Sequence, residues 1–324
     1  MKLLRLSSNA LLHSLGGIRG FRHFNRRGAR ILMYHQFPPD TRGLRRQCEH
    51  IRRYYQPISL SSLTETIRQK APVPHNALIV TVDDGYRDFL LHAHPVFSEH
   101  DIPVTVFLVS DFLDRKLWLW WDKVQYAFRH TARKSLSLEL SEGAPASFAF
   151  ESDGQRTAAA EKVIGLMKGL DNHERLRLLK LIPERLAVDI PAEPPSELEP
   201  LSWDEVRRLA ALGVEFGAHT KTHPILSKIS DFKELSEEIG VSKARLEEEL
   251  GAPAAHFCYP NGRAVDFNEQ VVEVVREHGF HSAVTTVPGL NFAGAHPFLL
   301  RRLYIEPTFQ DYYFRELLAG VRSY

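Results

Sequence analysis

Asn76-Ala77-Leu78-Ile79-Val80-Thr81-Val82-Asp83-Asp84-Gly85 carries an apolar run directly into two adjacent carboxylates. The apolar residues read as a β-strand, and the acids fall where that strand should stop. Neighbouring carboxylates repel one another and lose hydration when buried. Both stay ionised only where a cation or strong hydrogen-bond donors compensate them. A plain turn is the competing explanation, since Asp-Gly is a common hairpin signal. The rest of the chain decides between them by supplying donors for a metal or failing to.

Working outward, similar short runs recur at Ile31-Leu32-Met33-Tyr34, Val104 to Val109, Val214-Glu215-Phe216, His256-Phe257-Cys258-Tyr259, Ser282 to Thr286 and Leu299 to Ile305. Amphipathic stretches separate them. Buried strands alternating with helices argue for a parallel α/β sheet, and about seven such strands suggest a barrel. Ser202-Trp203-Asp204-Glu205 is a capping box opening a helix through Ala211, with Gly213 as its stop. Residues 231–250, ending at Gly251, read as a long exposed helix. The rhythm breaks over residues 111–200. There Trp118, Trp120 and Trp121 lead an aromatic helix, residues 135–151 alternate like a hairpin around Glu142-Gly143, residues 156–187 look helical, and Pro191 to Pro200 reads as a linker. This is an insertion on one barrel loop. It either packs against the barrel or walls the site, with the tryptophans offering a sugar-stacking or membrane-contact surface.

The 324 residues, 44% hydrophobic and 25% charged, provide ample material for a large core. A net charge of +1 gives no global case for nucleic acid as a partner. Residues 1–30 differ, with Lys2, Arg5, Arg19, Arg22, Arg26, Arg27 and Arg30 but no Asp or Glu, and with Leu3, Leu4, Leu6, Leu11, Leu12, Leu15 and Ile18 for an apolar face. Such a basic amphipathic N-terminal segment either packs on the domain as a solvated helix or rests on an anionic membrane surface. Arg5, Ser7, Ser8, Asn9 and His13 interrupt any secretory apolar region, and nothing reaches the roughly 18 uninterrupted apolar residues of a spanning helix. The expected location is therefore the cytoplasm or the cytoplasmic face of the membrane. Cys48 and Cys258 cannot build a disulfide framework.

His219-Thr220-Lys221-Thr222-His223 directly follows the strand at Val214 to Gly217. Among 16 histidines such a spacing arises by chance, so its position after a strand is what gives it weight. A helical turn there would put both imidazoles on one face, at the same strand-end rim as the acid pair. Two neutral imidazoles plus one carboxylate suit a catalytic zinc ion, leaving the second acid free as a general base. Cobalt, nickel or iron(II) would suit the same divalent site.

Three motifs together resemble the polysaccharide deacetylase (NodB-homology, carbohydrate esterase 4) family. Thr81-Val82-Asp83-Asp84-Gly85 is similar to its T-F-D-D-G motif. His219-Thr220-Lys221-Thr222-His223 matches H-[ST]-x-x-H, and Phe257-Cys258-Tyr259-Pro260-Asn261-Gly262 is similar to the F-x-Y-P-x-G form of its third motif. The resemblance covers most of residues 31–305, apart from the insertion, and implies a distorted (β/α)7 barrel with parallel strands and a mainly helical insertion. The barrel domain would take in residues 31–324.

By the same resemblance Asp83 is the general base, Asp84, His219 and His223 hold the metal, and the backbone N–H of Tyr259 donates to the oxyanion. Two departures stand out. Cys258 occupies the place of a third-motif Arg, and Leu299-Leu300-Arg301-Arg302 lacks the His of the usual final L-x-H motif. A circularly permuted branch, typified by poly-N-acetylglucosamine deacetylases, carries that His on its first strand. Ile31-Leu32-Met33-Tyr34-His35 matches, which assigns the general acid to His35. Arg302 is either the spatial replacement for the missing Arg or an ordinary ion-pair partner at a strand end. The implied reaction is removal of N-acetyl groups from a glycan or glycoconjugate. The alternatives are deacylation of a lipid-linked sugar or small amide on the same fold, and a non-catalytic carbohydrate-binding barrel.

Overall fold

The computed structural model describes residues 17–141 and 143–321. Its strands are β1 (Arg30–Tyr34), β2 (Gln56–Pro57), β3 (Ala77–Val82), β4 (Val104–Leu108), β5 (Ser135–Leu138), β6 (Ala146–Ala149), β7 (Glu215–Ala218), β8 (His256–Cys258), β9 (Ser282–Pro288) and β10 (Leu300–Tyr304). β3 is buried over its whole length, as a strand covered on both faces must be. The main sheet runs β1-β10-β9-β8-β7-β4-β3, and β3 pairs back onto β1 to close a parallel seven-stranded barrel. The strand expected at each of the seven runs is present. β2, a two-residue addition beside the start of β3, was not anticipated because so short a segment has no periodicity to read.

Side-chain alternation divides the core in two. Leu32, Tyr34, Val80, Val82, Val106 and Leu108 face outward and pack under the helices in one large cluster. Ile31, Ile79, Phe107, Cys258, Val284 and Leu300 face the other way and fill the barrel. Gly217 is where that filling is tightest. A Cβ there would lie 2.5 Å from the Phe107 ring and 2.7 Å from the His256 carbonyl oxygen, so no larger residue fits. The same two-residue period lifts Thr81 and Asp83 above Ile79, His35 above Ile31, and Arg302 above Leu300, all on the inward face.

The insertion has its own core, built from Trp120, Val124, Phe128, Leu136, Phe150, Val163, Leu178 and Ile182 among others. Its aromatic helix is Trp120–His130, and β5 and β6 form the expected hairpin, of which Glu142 lies outside the described residues. The helical stretch is two helices rather than one. Asp153–Met167 is capped by Ser152, Asn172–Leu186 is capped by Asp171, and the break falls between them. The proline-rich return is pinned beside the acid pair: Arg87 N–H donates to Glu199 O at 2.8 Å and Leu201 N–H to Gly85 O at 2.9 Å.

The capping box at Ser202 and the Gly251 stop form as read. The helix Phe232–Leu250 is not simply exposed, however, because Leu235, Glu238, Ile239, Ser242 and Leu246 are buried along one face. Of the basic head, residues 1–16 lie outside the described residues, and Gly17–Phe24 is a helix. No helix among the described residues is long and apolar enough to cross a membrane.

Candidate metal centre and catalytic cleft

Register alone brings the first two site residues together. β1 and β3 pair from Arg30 opposite Leu78 to Tyr34 opposite Val82, so the next residues, His35 and Asp83, emerge side by side. The Asp83 N–H donates to the Tyr34 carbonyl at 2.9 Å, and His35 Nε2 lies 3.9 Å from Asp83 Oδ2. On the far side of the barrel Ala218 pairs with Phe257, which sets His219 beside Cys258.

The chain turns sharply immediately after β3. Asp84 has φ +75° and Gly85 φ +88°, and a Cβ on Gly85 would strike Leu108 Cδ2 at 2.8 Å. Asp84 Oδ1 is thereby aimed at the histidine pair, 3.6 Å from both His219 Nε2 and His223 Nε2. The Asp84, His219 and His223 ligand atoms all lie within 4.8 Å of one another, and all three residues are buried. The two histidines do not sit on a helical turn as the spacing suggested. Residues 219–225 are irregular, with Thr220 at φ +68° and His223 at φ +59°. Left-handed backbone at a β-branched residue is strained and needs external support.

That support comes from Glu238, on the long helix. Its carboxylate accepts from the N–H groups of Lys221 (3.0 Å) and Thr222 (2.8 Å) and from Thr222 Oγ1 (2.6 Å). Thr220 Oγ1 completes the loop by accepting from His223 N–H at 3.0 Å. Glu238 escaped the sequence reading because a glutamate in a Glu/Lys-rich helix has the composition of a solvated face.

Three observations fit this cluster to a divalent cation. Asp84 Oδ1 is buried without a hydrogen-bond partner among the described residues, an expensive condition for a polar atom. His219 Nδ1 lies 2.7 Å from the Cys258 carbonyl oxygen, so it carries the proton and leaves the Nε2 lone pair facing Asp84. Burial pushes His219 down to about 4 and His223 well below its usual value, which keeps both imidazoles neutral. Burial and then the neighbouring Asp83 charge push Asp84 well above the usual carboxylate range. A bound cation reverses that penalty.

Asp83 has the opposite environment. Arg302 reaches it through the barrel interior, with Nη1 2.7 Å from Oδ1 and Nη2 2.7 Å from Oδ2. The guanidinium also donates to Thr285 O (2.8 Å), Thr81 Oγ1 (3.1 Å) and Cys258 Sγ (3.1 Å), and it is 1% exposed. Burial would raise Asp83, but the charge and hydrogen bonds of Arg302 outweigh it and hold the carboxyl well below the usual range. Arg302 is thus the buried ion-pair partner of Asp83. Cys258, its thiol raised by burial, packs beside the pair with Sγ 3.5 Å from Asp83 Oδ2. Asp83, His219 and Cys258 also approach one another. With Asp83 held by a guanidinium and the thiol protonated, that trio offers a cation much less than the first.

One sequence expectation is corrected. The Tyr259 N–H already donates to Val284 O at 3.2 Å as part of the barrel ladder, so it is not a free donor to the cleft. The lining of the cleft comes instead from Asn261, two residues on, held at φ +58° by Asp266.

All of this opens into a cleft of about 620 Å3. Its barrel side includes Met33, His35, Asp83, Asp84 and Tyr304, and its opposite wall is the insertion, through Trp120, Trp121, Ile164 and Lys168. Trp121 meets the His223 ring edge-on, centroids 4.6 Å apart. Behind it, Tyr86 donates to Asp122 at 2.6 Å, tying the insertion to the loop that carries Asp84. The insertion thus does more than pack. His35 keeps 37% of its side chain exposed at the cleft mouth while its Nδ1 is buried, and the desolvation of that inner part, countered in part by Asp83, lowers its pKa.

The fold recurs in solved structures. Over 90% of this chain and 96% of theirs, it superposes on IcaB from Ammonifex degensii with a TM-score of 0.56 at 17% identity. The deacetylase PplD of Streptococcus pyogenes, solved with acetate, gives 0.56 at 16% identity over 87% and 93% of the two chains. In sequence, 75 residues are 32% identical to the poly-beta-1,6-N-acetyl-D-glucosamine N-deacetylase of Escherichia coli K12, a match that spans 23% of this chain and only 11% of that relative. The polysaccharide deacetylase family model matches residues 70–283. That span holds Asp83, Asp84, His219, His223 and Tyr259 but leaves out His35 and Arg302, which β1 and β10 bring to the same site. By that match and by the site the barrel assembles, this chain belongs to the polysaccharide deacetylase (NodB-homology) family.

Proposed function

We propose that the protein is a divalent-metal-dependent N-deacetylase acting on an N-acetylated glycan or glycoconjugate, with zinc the best-suited metal and cobalt, nickel or iron(II) compatible with the donor set. The observation that carries this is the convergence of Asp84, His219 and His223 beside an Arg-paired Asp83 and a mouth-facing His35. A cation held by the three ligands would lower the pKa of a water molecule and polarise the amide carbonyl.

The chain's own residues divide the remaining work. Asp83, ionised and fixed by two hydrogen bonds from Arg302, accepts the proton of the attacking water. Its orientation is set because both carboxylate oxygens are held. His35, protonated, gives its proton to the departing amine nitrogen as the C–N bond breaks and acetate is released. Trp121 and Tyr304 line opposite sides of the cleft and offer apolar surface for a sugar ring. A lipid-linked sugar or small amide is the second reading for the substrate, favoured only by the basic N-terminal segment.

Elemental analysis combined with acetate release from N-acetylglucosamine oligomers tests the proposal. Stoichiometric metal and released acetate are expected. Metal without acetate would move the reading to another amide substrate, and neither would favour a non-catalytic carbohydrate-binding barrel.

A further inference from the structure

The end of the barrel opposite the cleft carries a surface that deacetylation does not use. The helix Gly17–Phe24 leads into the start of β1, whereas His35 and Asp83 leave the far ends of β1 and β3. This helix exposes Phe24 at 85% and Phe21 at 42%, which is unfavourable for a helix that only packs on its own barrel. Arg19, Arg22 and Arg26 line a single cavity of about 500 Å3 with Asn76. Among the described residues no carboxylate pairs with any of the three. Arg22 lies 4.5 Å over the Tyr54 ring, and Arg26 donates to the His23 carbonyl at 2.9 Å. The first acidic residue of the chain is Asp40. Phe292, 49% exposed, lies against Gly28 and extends the aromatic surface beyond the helix.

We propose that this end of the barrel docks on an anionic phospholipid surface. Phe21 and Phe24 would enter the boundary between headgroups and acyl chains, while Arg19, Arg22 and Arg26 meet lipid phosphates. Exposed aromatics interleaved with arginines that no described carboxylate pairs are complementary to such a surface. Nucleic acid would require charge but not two bare phenylalanines. Docking this way turns the cleft toward water, because a five-residue strand spans roughly 17 Å between the two ends of the barrel. Glycan would then arrive from the aqueous side rather than from the supporting membrane.

The test is co-sedimentation of the full chain with phosphatidylcholine vesicles, with and without phosphatidylglycerol. Binding is expected only to the mixed vesicles and is expected to fall as salt is raised. The double variant R19E/F24S should lower the bound fraction about tenfold or more. R133E, at an exposed arginine of the insertion, should bind like the parent. Thermal unfolding of each variant checks that the fold is intact. Absence of binding to mixed vesicles would overturn the proposal. So would undiminished binding by R19E/F24S, which would place the contact elsewhere in the chain. Release by inorganic phosphate beyond that caused by chloride at equal ionic strength would make this a free-phosphate site and also overturn it.

Discussion

Arg302→Met removes the guanidinium that holds Asp83 while keeping most of the volume that fills the barrel beside Phe107. The partners are 0% and 2% exposed at the side chain, so the substitution strands a buried carboxylate with no water to replace the lost donors. Breaking a buried pair from one side costs about 3–5 kcal/mol. That loss depends on pH with a defined sign. In the parent Asp83 titrates below its unfolded value of 3.8. A carboxyl depressed in the fold adds stability above 3.8 and loses it as pH falls through the folded value. In R302M burial is left without its counterweight, so the folded value rises above 3.8. The contribution is then present at low pH and lost as pH rises through the new folded value. The deficit of R302M relative to the parent should therefore be largest at neutral pH and shrink toward about pH 4. Urea unfolding of parent, R302M, D83N and the double variant at both pH values reads it out. D83N/R302M should recover a large part of the loss, giving a coupling of several kcal/mol. Additive single-variant losses, or a deficit independent of pH, would refute the assignment of Arg302 as the group that sets the charge of Asp83.

Other outcomes follow from the same geometry. D83N should keep bound metal by elemental analysis while acetate release falls by about 10²–10⁴-fold, whereas D84A and H219A should lose both. H35A should lose the alkaline limb of the kcat/KM profile. A general acid is needed protonated, and because burial lowers His35 from 6.5, that limb in the parent should fall at or below the usual imidazole range. Persistence of the limb in H35A would remove His35 from the acid role. Glu238→Ala should release the strained histidine loop, destabilising the fold by about 1–3 kcal/mol and weakening metal retention on dialysis. Gly217→Ala should cost about 1–3 kcal/mol by overpacking Phe107, seen as a lowered melting temperature with the metal content unchanged.

The sequence by itself determined the barrel and, through motifs that resemble the family's, the candidate ligands for a cation. Both are written locally: seven apolar runs separated by amphipathic stretches, and polar motifs placed just after strand ends. His35 was legible only through the resemblance to the permuted branch, which carries a His at the end of its first strand. What sequence could not decide was contact at long range. Arg302 and Asp83 are 219 positions apart and meet because β10 neighbours β1, β1 neighbours β3, and a two-residue period turns both side chains inward. Spacing suggested a helix for His219 and His223, but Glu238 from another element stabilises a left-handed loop instead. The third motif alone offers the Tyr259 amide as an oxyanion donor, but strand pairing spends that donor on Val284. The insertion's place over the cleft also emerged only in three dimensions, through Trp121 against His223 and Asp122 against Tyr86. Local pattern fixes which residues end a strand. Only closure of the barrel fixes which of those ends face one another, and the charge on Asp83 depends on that.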